Sequence, residues 1–160
     1  MDKITHIREK DDLNDEDEIN EGVYMKELNG NKLFPVRSTH GSAAYDLTCT
    51  NQKKIILSKE SILVGTGITL QLPCNMHALI LPRSSSLYKK NINVEIGLID
   101  SDYHGEINVQ VSSNEFGTPL KTGDVVAQLL LQKTYYFDND LTNLKTKKDF
   151  EHKGFGSTSK

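Results

Sequence analysis

The sequence predicts an all-β fold, a jelly-roll-like barrel or sandwich formed by a single domain. Short apolar segments recur between Gly, Asn, Pro and Ser residues, which is the spacing of strands and turns. Residues 68–72 and 107–111 alternate apolar and polar side chains, so each segment has one face for a core and one for water. No stretch shows a long helical apolar period, and the one predicted helix is short, around residues 86–90. At 160 residues and 18.0 kDa the chain has the size of one domain.

The clearest predicted strands are residues 55–57, 61–72, 77–81, 92–99, 106–113 and 125–136. Residues 9–21 form an acidic block with too few apolar side chains to offset the entropy of ordering them. We therefore expect residues 1–22 to be an acidic flexible arm and residues 23–150 to be the β domain. Residues 151–160 are expected to be a mobile C-terminal tail.

Composition limits the partners that the chain can have. The net charge of -3 argues against a stable complex with nucleic acid. The longest apolar runs are strand-sized and the first residues lack the apolar stretch of a secretory signal, so we expect no membrane contact and an intracellular location, cytoplasmic or nuclear. Cys49 and Cys74 are expected to be reduced, buried thiols. The histidines and cysteines lack metal-ligand spacing, so a zinc site is not expected.

Residues 97–106 place two acids, an aromatic ring and a glycine between alternating apolar segments. Those flanking apolar residues are Ile92, Val94 and Ile96 before the segment and Ile107, Val109 and Val111 after it. The pattern predicts a β-hairpin whose tip carries Asp100, Asp102 and Tyr103. Asp is a common turn residue, so this segment on its own favours a solvated turn.

Two other groups of polar residues adjoin or interrupt apolar segments. Arg83, Ser84 and Ser85 directly follow a predicted buried strand, and Arg offers a fork of donors that matches phosphate oxygens. Gln128 interrupts the apolar run 125–131, and a buried amide needs a hydrogen-bond partner. The alternative interpretations are a Ser-rich turn with a solvated Arg, and a core amide satisfied by its neighbours.

Asp46 and Phe155 have unusual neighbours. Asp46 follows a run of small residues, 42–44, that lets the backbone approach a neighbour closely. A single strand Asp is more often a turn acid or an ion-pair partner than a metal ligand. Phe155 lies between two glycines in a polar segment, where it has no core to join and can stack on a bound base.

Five segments resemble, in order and spacing, the five motifs of the trimeric dUTP diphosphatases (dUTPases). The segments are residues 44–47, 82–86, 97–106, 123–129 and 154–158. The resemblance extends from about residue 23 to residue 160 and leaves out only the acidic arm. One such motif would be weak, whereas five in the same order in one short β-rich chain are distinctive.

The resemblance implies a homotrimer with shared sites that hydrolyses dUTP to dUMP and pyrophosphate. This activity limits uracil incorporation into DNA and supplies dUMP for thymidylate synthesis. Asp100 would be the base that activates water for attack on the α-phosphorus, and Gln128 would lie near the reacting groups. Mg²⁺ would sit mainly on the phosphates, with Asp46 near it through water.

The resemblance also implies which residues bind the nucleotide. The expected phosphate-binding residues are Arg83, Ser84, Ser85, Ser157 and Thr158. The expected residues for uracil and deoxyribose are Ile96, Gly97, Leu98, Tyr103 and Phe155. The Tyr103 ring would leave no room for a 2′-hydroxyl, and the backbone of residues 96–98 would pair with uracil. The side chains of Leu98 and Ile99 are themselves expected to be ordinary core.

The sequence departs from the family pattern at three places. Residues 85–87 replace the usual Gly-Leu or Ser-Leu, Val125 replaces a basic residue, and Phe150 replaces an Arg before the last motif. Lys148, Lys153 or Lys160 could take over the role of that Arg. The alternatives are a dCTP deaminase-like enzyme and a non-catalytic nucleotide-binding or signalling relative.

Overall fold

The computed structural model describes residues 5–7 and 22–135 of the chain. The elements in these residues are β1 (Thr5–Ile7), β2 (Val23–Glu27), β3 (Tyr45–Thr48), β4 (Ile55–Leu57), β5 (Ile62–Gly65), β6 (Ile68–Gln71), β7 (Met76–Leu81), α1 (Ser84–Lys90), β8 (Ile92–Val94), β9 (Gly97–Ile99), β10 (Asn108–Ser113), β11 (Thr118–Leu120) and β12 (Val125–Lys133). The predicted all-β, jelly-roll-like fold is confirmed.

The strands of the described residues form four antiparallel sheets, with the orders β1-β2-β6, β5-β10-β8, β4-β11 and β3-β12-β7-β9. The last of these positions the candidate site. Its long strand β12 pairs with β3 on one side and β7 on the other, and β9 pairs with the far side of β7. A register shift between Val125 and Ala127 adds a bulge at the start of β12, so the strand bends there.

Several predicted elements are confirmed with shifted boundaries. The helix begins at Ser84 rather than 86, and the predicted strand 61–72 is two strands, β5 and β6. The break occurs because Gly67 has a φ of +67°, a left-handed conformation that ends the extended run. Strands β2, β3 and β11 are absent from the predicted set. Strand β1 lies inside the predicted arm and pairs with β2, and residues 8–21 lie outside the described part.

The predicted simple hairpin across residues 92–111 is wrong in one respect. Strands β8 and β10 do pair as a hairpin, with Val94 opposite Val111. Between them, however, β9 leaves that sheet and pairs with β7, with Gly97 opposite Ile80. The segment with the two acids is therefore a crossing between two sheets, because β7 offers β9 a hydrogen-bonding edge that β10 does not.

The core lies between these sheets and is formed by fully buried aliphatic side chains, among them Leu47, Leu57, Ile68, Ile107, Val111, Leu120 and Leu129. Of the two cysteine thiols, Cys49 is buried as predicted and Cys74 is exposed, so that prediction is wrong for Cys74. Cys74 lies in the turn between β6 and β7, where no second layer covers it. In the part of the chain that the structure describes, no helix has the length and apolar character needed to cross a membrane.

Candidate functional site

The β3-β12-β7-β9 sheet turns one face to the core and one face away from it. Ile80, Leu129 and Ile99 are buried on the core face. Because strand side chains alternate, their sequence neighbours lie on the other face. On that outer face Gln128 lies opposite both Asp46 on β3 and Leu81 on β7. The outer face therefore brings together Asp46 and Gln128, which belong to different motifs of the sequence.

Arg83, Asp46 and Ser38 form a compact polar cluster at one end of this face, which we call the arginine corner. Arg83 Nε lies 2.8 Å from Asp46 Oδ1, and Arg83 Nη2 donates to Asp46 Oδ2 at 3.1 Å. The Ser38 hydroxyl also donates to Asp46 Oδ2, at 2.8 Å. The side chain of Asp46 is only 14% exposed and that of Arg83 26%, so water screens this two-point pair less than an exposed one.

The backbone explains why these side chains meet. Strand β7 ends at Leu81, and Pro82 directs the chain out of the sheet before α1 begins. The Gln128 side-chain amide donates to the carbonyl of Pro82 at 2.9 Å, which fixes the turn that carries Arg83. On the other side, Asp46 N donates to Val36 O at 2.8 Å and holds the preceding loop against β3. The Gln128 amide is thus satisfied and adjoins the arginine corner, while its carbonyl oxygen can still accept.

The predicted phosphate-binding serines lie at the start of α1, beside the arginine corner. Ser84 is exposed and Ser85 is half-buried, so their hydroxyls are open to a ligand to different degrees. Ser86 is buried, and its N–H donates to Arg83 O at 3.0 Å. The arginine corner, these serines and Gln128 together offer a guanidinium, hydroxyls and an amide, which is a donor set suited to a polyanion.

Asp100 and its neighbours lie in a second cluster, which we call the aspartate loop (residues 100–106). Asp100 follows β9 directly, and its carbonyl accepts from Tyr103 N at 3.1 Å, closing a tight turn. Asp100 and Asp102 are both exposed. A cavity of about 490 Å³ opens here, and its lining residues are Met76, His77, Leu98, Asp100, Ser101, Asp102 and Thr134. The carboxylate of Asp100 thus adjoins a space large enough for part of a nucleotide.

Tyr103 is held rigidly within the aspartate loop. Its hydroxyl donates to Glu106 O at 2.9 Å. A Cβ placed on Gly105 would lie 2.6 Å from that hydroxyl oxygen, so only glycine leaves room for the ring. Tyr103 is nevertheless 43% exposed and presents a ring surface to solvent. The glycine at position 105 of this segment therefore has a steric role beside the Tyr103 ring.

Strand β9 is an edge strand in the described residues, so its outer backbone groups are available to a ligand. Ile99 is buried as predicted, whereas Leu98 is 60% exposed and the prediction of a core side chain is wrong for it. Ile96 is 70% exposed as well and does not continue the buried face of Ile92. The reason is that β9 takes its alternation from β7: Leu98 is opposite Leu79, on the outer face.

The structure does not bring the arginine corner and the aspartate loop together within one chain. Ile99 is opposite Ala78 near the start of β7, and Asp100 continues past that end. Arg83 follows the other end, after Leu81. The six residues of β7 extend about 20 Å at the usual strand rise. Asp46 is part of the arginine corner, and Gln128, Ser84 and Ser85 lie beside it. Gly97, Leu98 and Tyr103 lie with Asp100 instead.

Some predicted residues lie outside the described part, and some contacts were not predicted. Phe155, Ser157 and Thr158, together with Phe150, fall in residues 136–160, which the structure does not describe. Ser38 was missed because it lies outside the motifs and nothing in its local sequence marks it. Among the described residues, no group of three or more His, Cys, Asp or Glu side chains could hold a metal ion.

Comparison with known proteins gives a consistent result. The family model for dUTPase matches residues 31–159. The chain is 36% identical over 138 residues to the deoxyuridine 5′-triphosphate nucleotidohydrolase of fowl adenovirus A serotype 1, covering 85% of this chain and 76% of that protein. It is 35% identical over 143 residues to the swinepox virus protein of the same name, covering 85% of this chain and 97% of the relative.

Solved structures agree in fold. A dUTPase from Streptococcus mutans is 25% identical, covers 71% of this chain and 98% of its own, and has a TM-score of 0.66. A mutant dUTPase from phage phi11 of S. aureus, described with a coordinated structural Mg(II) ion, is 21% identical with a TM-score of 0.65. That match covers 81% of this chain and 98% of the phage chain.

Proposed function

Because this chain belongs to the dUTPase family, we propose that it hydrolyses dUTP to dUMP and pyrophosphate. The relatives named above are dUTP nucleotidohydrolases, which supports hydrolysis over the deamination of dCTP and over a purely non-catalytic role. An enzyme that acts on the nucleotide pool in this way works inside the cell, where it keeps uracil out of DNA and supplies dUMP.

The observation that best supports a site shared between chains is the distance between the arginine corner and the aspartate loop, which lie at opposite ends of β7. Between the arginine corner and the aspartate loop lies a leucine row, formed by Leu79, Leu98 and Leu130, which face each other across β9, β7 and β12. Leu98 is 60% exposed, and the other two are half-buried. Exposed apolar side chains that adjoin half of a polar site favour burial against another copy of the chain.

We therefore propose a homotrimer in which neighbouring chains share each site. A contact that joins the arginine corner of one copy to the aspartate loop of the next uses two different surfaces, so it is heterologous, and with a threefold rotation between neighbours it closes as a ring. Three copies then make three equivalent sites. Each site then combines the arginine corner of one chain with the catalytic base Asp100 of a neighbouring chain. The leucine row is buried in the contact between the two chains.

In the proposed reaction Asp100 positions and deprotonates a water molecule. The water oxygen forms a bond to the α-phosphorus while the bond from that phosphorus to the bridging oxygen breaks. The proton passes to the Asp100 carboxylate, and pyrophosphate leaves with the bridging oxygen. The exposure of Asp100 at an open cavity supports this role, because a base must reach both water and substrate.

The arginine corner is proposed to hold the phosphates. The Asp46 pair engages Nε and one Nη2 hydrogen of Arg83, so the remaining guanidinium hydrogens can donate to phosphate oxygens in a fixed direction. Ser84 and Ser85 add hydroxyl donors, and Gln128 lies beside the turn that carries them. This preorganisation reduces the entropy that dUTP binding would otherwise cost.

The donor set fits Mg²⁺ that is bound to the nucleotide and touches the protein through water. Both carboxylate oxygens of Asp46 already accept hydrogen bonds from Arg83 or Ser38, so this carboxylate suits a hydrogen bond from metal-bound water better than direct ligation. When bound, the ion neutralises phosphate charge that develops in the reaction.

The base and sugar are proposed to bind along β9. In the described residues β9 has no strand on its outer edge, so the backbone of residues 96–98 is proposed to supply donors and acceptors for the uracil edge. The Tyr103 ring then lies against the deoxyribose and excludes a 2′-hydroxyl.

Residues 151–160 are proposed to close the site, with Phe155 on the uracil ring and with Ser157 and Thr158 on the outer phosphates. Deleting residues 154–160 should abolish turnover and leave the trimer intact. A truncated chain with full activity would remove this segment from the mechanism.

The experiment that tests the function is pyrophosphate release measured with dUTP, dTTP, UTP and dCTP in parallel, with and without Mg²⁺. We expect release from dUTP alone and only with the metal. Ammonia release from dCTP would establish the deaminase alternative, and binding of dUTP without any product would establish the non-catalytic one.

A further inference from the structure

The aspartate loop is docked onto the turn between β5 and β6. Thr66 N and Thr66 Oγ1 both donate to Ile107 O, at 3.2 and 2.6 Å, and Ile107 N donates to Ile68 O at 2.8 Å. The Thr69 hydroxyl donates to His104 O at 2.9 Å. These bonds connect residues that are about forty positions apart in the chain, and they hold the end of the aspartate loop against a rigid part of the fold.

Several hydrogen bonds join the described residues of the aspartate loop to the β5–β6 turn. Glu106 is the one loop residue that contributes its side chain to them. Its Oε1 accepts from Gly67 N at 2.8 Å. The same oxygen would lie 2.7 Å from a Cβ placed on Gly65, so the carboxylate occupies the space that a side chain there would take. Gly67 adopts a φ of +67°, which turns its N–H toward the carboxylate. Gly67 thus provides a donor and Gly65 provides space for the Glu106 carboxylate, and we call this position the Glu106 seat.

The backbone of Glu106 connects this seat to Tyr103. The carbonyl of Glu106 accepts from the Tyr103 hydroxyl at 2.9 Å and from Asn108 Nδ2 at 3.1 Å. The Tyr103 ring also lies over Gly105. One residue therefore holds the turn with its carboxylate and the tyrosine ring with its carbonyl, so a displacement of Glu106 displaces the ring.

We infer that Glu106 is a positioning residue that sets the discrimination between dUTP and UTP. The inference rests on the proposed function, in which the Tyr103 ring faces the 2′ carbon of the sugar. The Tyr103 ring can exclude the 2′-hydroxyl of UTP only if the ring cannot move back by about the width of one oxygen atom. The bond from Gly67 N to the Glu106 carboxylate opposes that retreat, because it adds a side-chain restraint at Glu106 to the bonds that hold His104 and Ile107.

The test is the ratio of kcat/KM for dUTP to kcat/KM for UTP in the full trimeric enzyme. Glu106→Ala should lower this ratio about fivefold, chiefly by raising activity on UTP, since one hydrogen bond that restrains the loop is lost. Glu106→Gln keeps the accepting oxygen and should restore the wild-type ratio. The ratio for dUTP over dTTP should not change, because the 5-methyl group meets β9 and not Tyr103. Glu115→Ala, an exposed glutamate in the β10–β11 turn, is the matched control.

Amide exchange of Gly67 provides a readout that does not depend on activity. Protection should be lost in Glu106→Ala and kept in Glu106→Gln. If Glu106→Ala does not fold, Tyr103→Phe, which lacks the hydroxyl that binds Glu106 O, should lower the same ratio. An active Glu106→Ala enzyme with an unchanged dUTP to UTP ratio would overturn the role of Glu106 alone. A wild-type chain without activity on dUTP would overturn the proposed function, and the specificity role with it.

Discussion

The arginine corner and the aspartate loop are organised in opposite ways. The arginine corner is formed by side chains: Asp46 holds Arg83 at two points and Ser38 at a third, and the carboxylate is largely shielded. The aspartate loop is formed by its backbone, which the β5–β6 turn holds in place, while Asp100 itself remains exposed. The polar side chains of the arginine corner contact one another within a single chain, whereas Asp100 of the aspartate loop is exposed to solvent.

This difference indicates where assembly matters. We expect the arginine corner to bind an anion even in an isolated chain, because its donors are already oriented. The aspartate loop carries the proposed base, Asp100, far from the proposed phosphate-binding groups, since Arg83 lies at the other end of β7. Binding and catalysis should therefore respond differently to the loss of neighbouring chains.

Leu98→Asp should give the largest effect, because it places a charge in the leucine row. Burying an unpaired carboxylate costs several kcal/mol, which exceeds what one apolar contact contributes. We expect light scattering to show the 18.0 kDa monomer and pyrophosphate release to fall to background. Weak dUTP binding should persist at the arginine corner.

Leu63→Asp is the matched control for this variant. Leu63 is 66% exposed, close to the 60% of Leu98, but it lies on β5 in a different sheet. It should remain trimeric and active. Dissociation of the Leu63 variant, or full activity of monomeric Leu98→Asp, would contradict a site shared across the leucine row.

Asp100→Asn should lower turnover by at least ~10²-fold while dUTP still binds, because Asn keeps the size of Asp but cannot accept the proton. Steady-state kinetics and calorimetry separate the two quantities. Asp102→Asn, an exposed acid in the same loop, is the control and should retain most of the activity. An Asp100→Asn enzyme that works at the wild-type rate would remove Asp100 from the reaction.

Mixed trimers test whether the two halves come from different chains. Asp100→Asn and Arg83→Ala chains should each be nearly inactive, but refolding them together in equal amounts should restore about a quarter of the sites if each site joins two chains. Sites built from a single chain would give no recovery, since every chain then carries one defect.

Arg83→Lys should raise KM for dUTP about 30-fold with a smaller change in kcat. Lysine keeps the charge but cannot form the two-point contact with Asp46, so roughly 2 kcal/mol of oriented binding is lost. Lys53→Ala, an exposed cation in the β3–β4 turn, should leave KM unchanged. Equal KM values for Arg83→Lys and the wild type would mean that the phosphates bind elsewhere.

Local sequence patterns predicted the elements well and their partners poorly. The alternation at residues 107–111 places Val109 and Val111 in the core as expected. The Leu98 side chain was expected in the core but lies on the outer face, because β9 pairs with β7, a strand from another part of the chain. Alternation fixes which residues share a face, but only the pairing partner decides which face is covered.

The candidate site shows the same limit. Arg83 and Asp46 lie in two different sequence motifs. The interpretation of Asp46 as an ion-pair partner is confirmed, because its carboxylate pairs with Arg83. Their contact joins residues 37 positions apart, which no local pattern encodes. Nor could the sequence reveal that Asp100 lies at the far end of the same sheet, because that distance depends on the register of β7 and β9.

The two cysteines provide the smallest test, one thiol for each end of the sheet. Cys49 follows β3 and is buried, and that burial raises the pKa of its thiol. Cys74 precedes β7 near the aspartate loop and is exposed. Since the thiolate is the reactive form, Cys49 should react with a thiol reagent at least about tenfold more slowly than Cys74 near neutral pH. Cys74→Ser and Cys49→Ser variants allow each rate to be measured alone.

The raised pKa of Cys49 also has a consequence for stability. The folded chain holds the Cys49 proton more tightly than the unfolded chain, so the folded state gains stability below the ordinary thiol pKa. That gain is lost as the pH rises from the ordinary thiol pKa through the raised value. The wild type should therefore lose more stability than Cys49→Ser over that alkaline range in urea titrations. Equal losses, or a Cys49 that reacts as fast as Cys74, would mean that the segment after β3 opens to solvent as readily as the turn before β7.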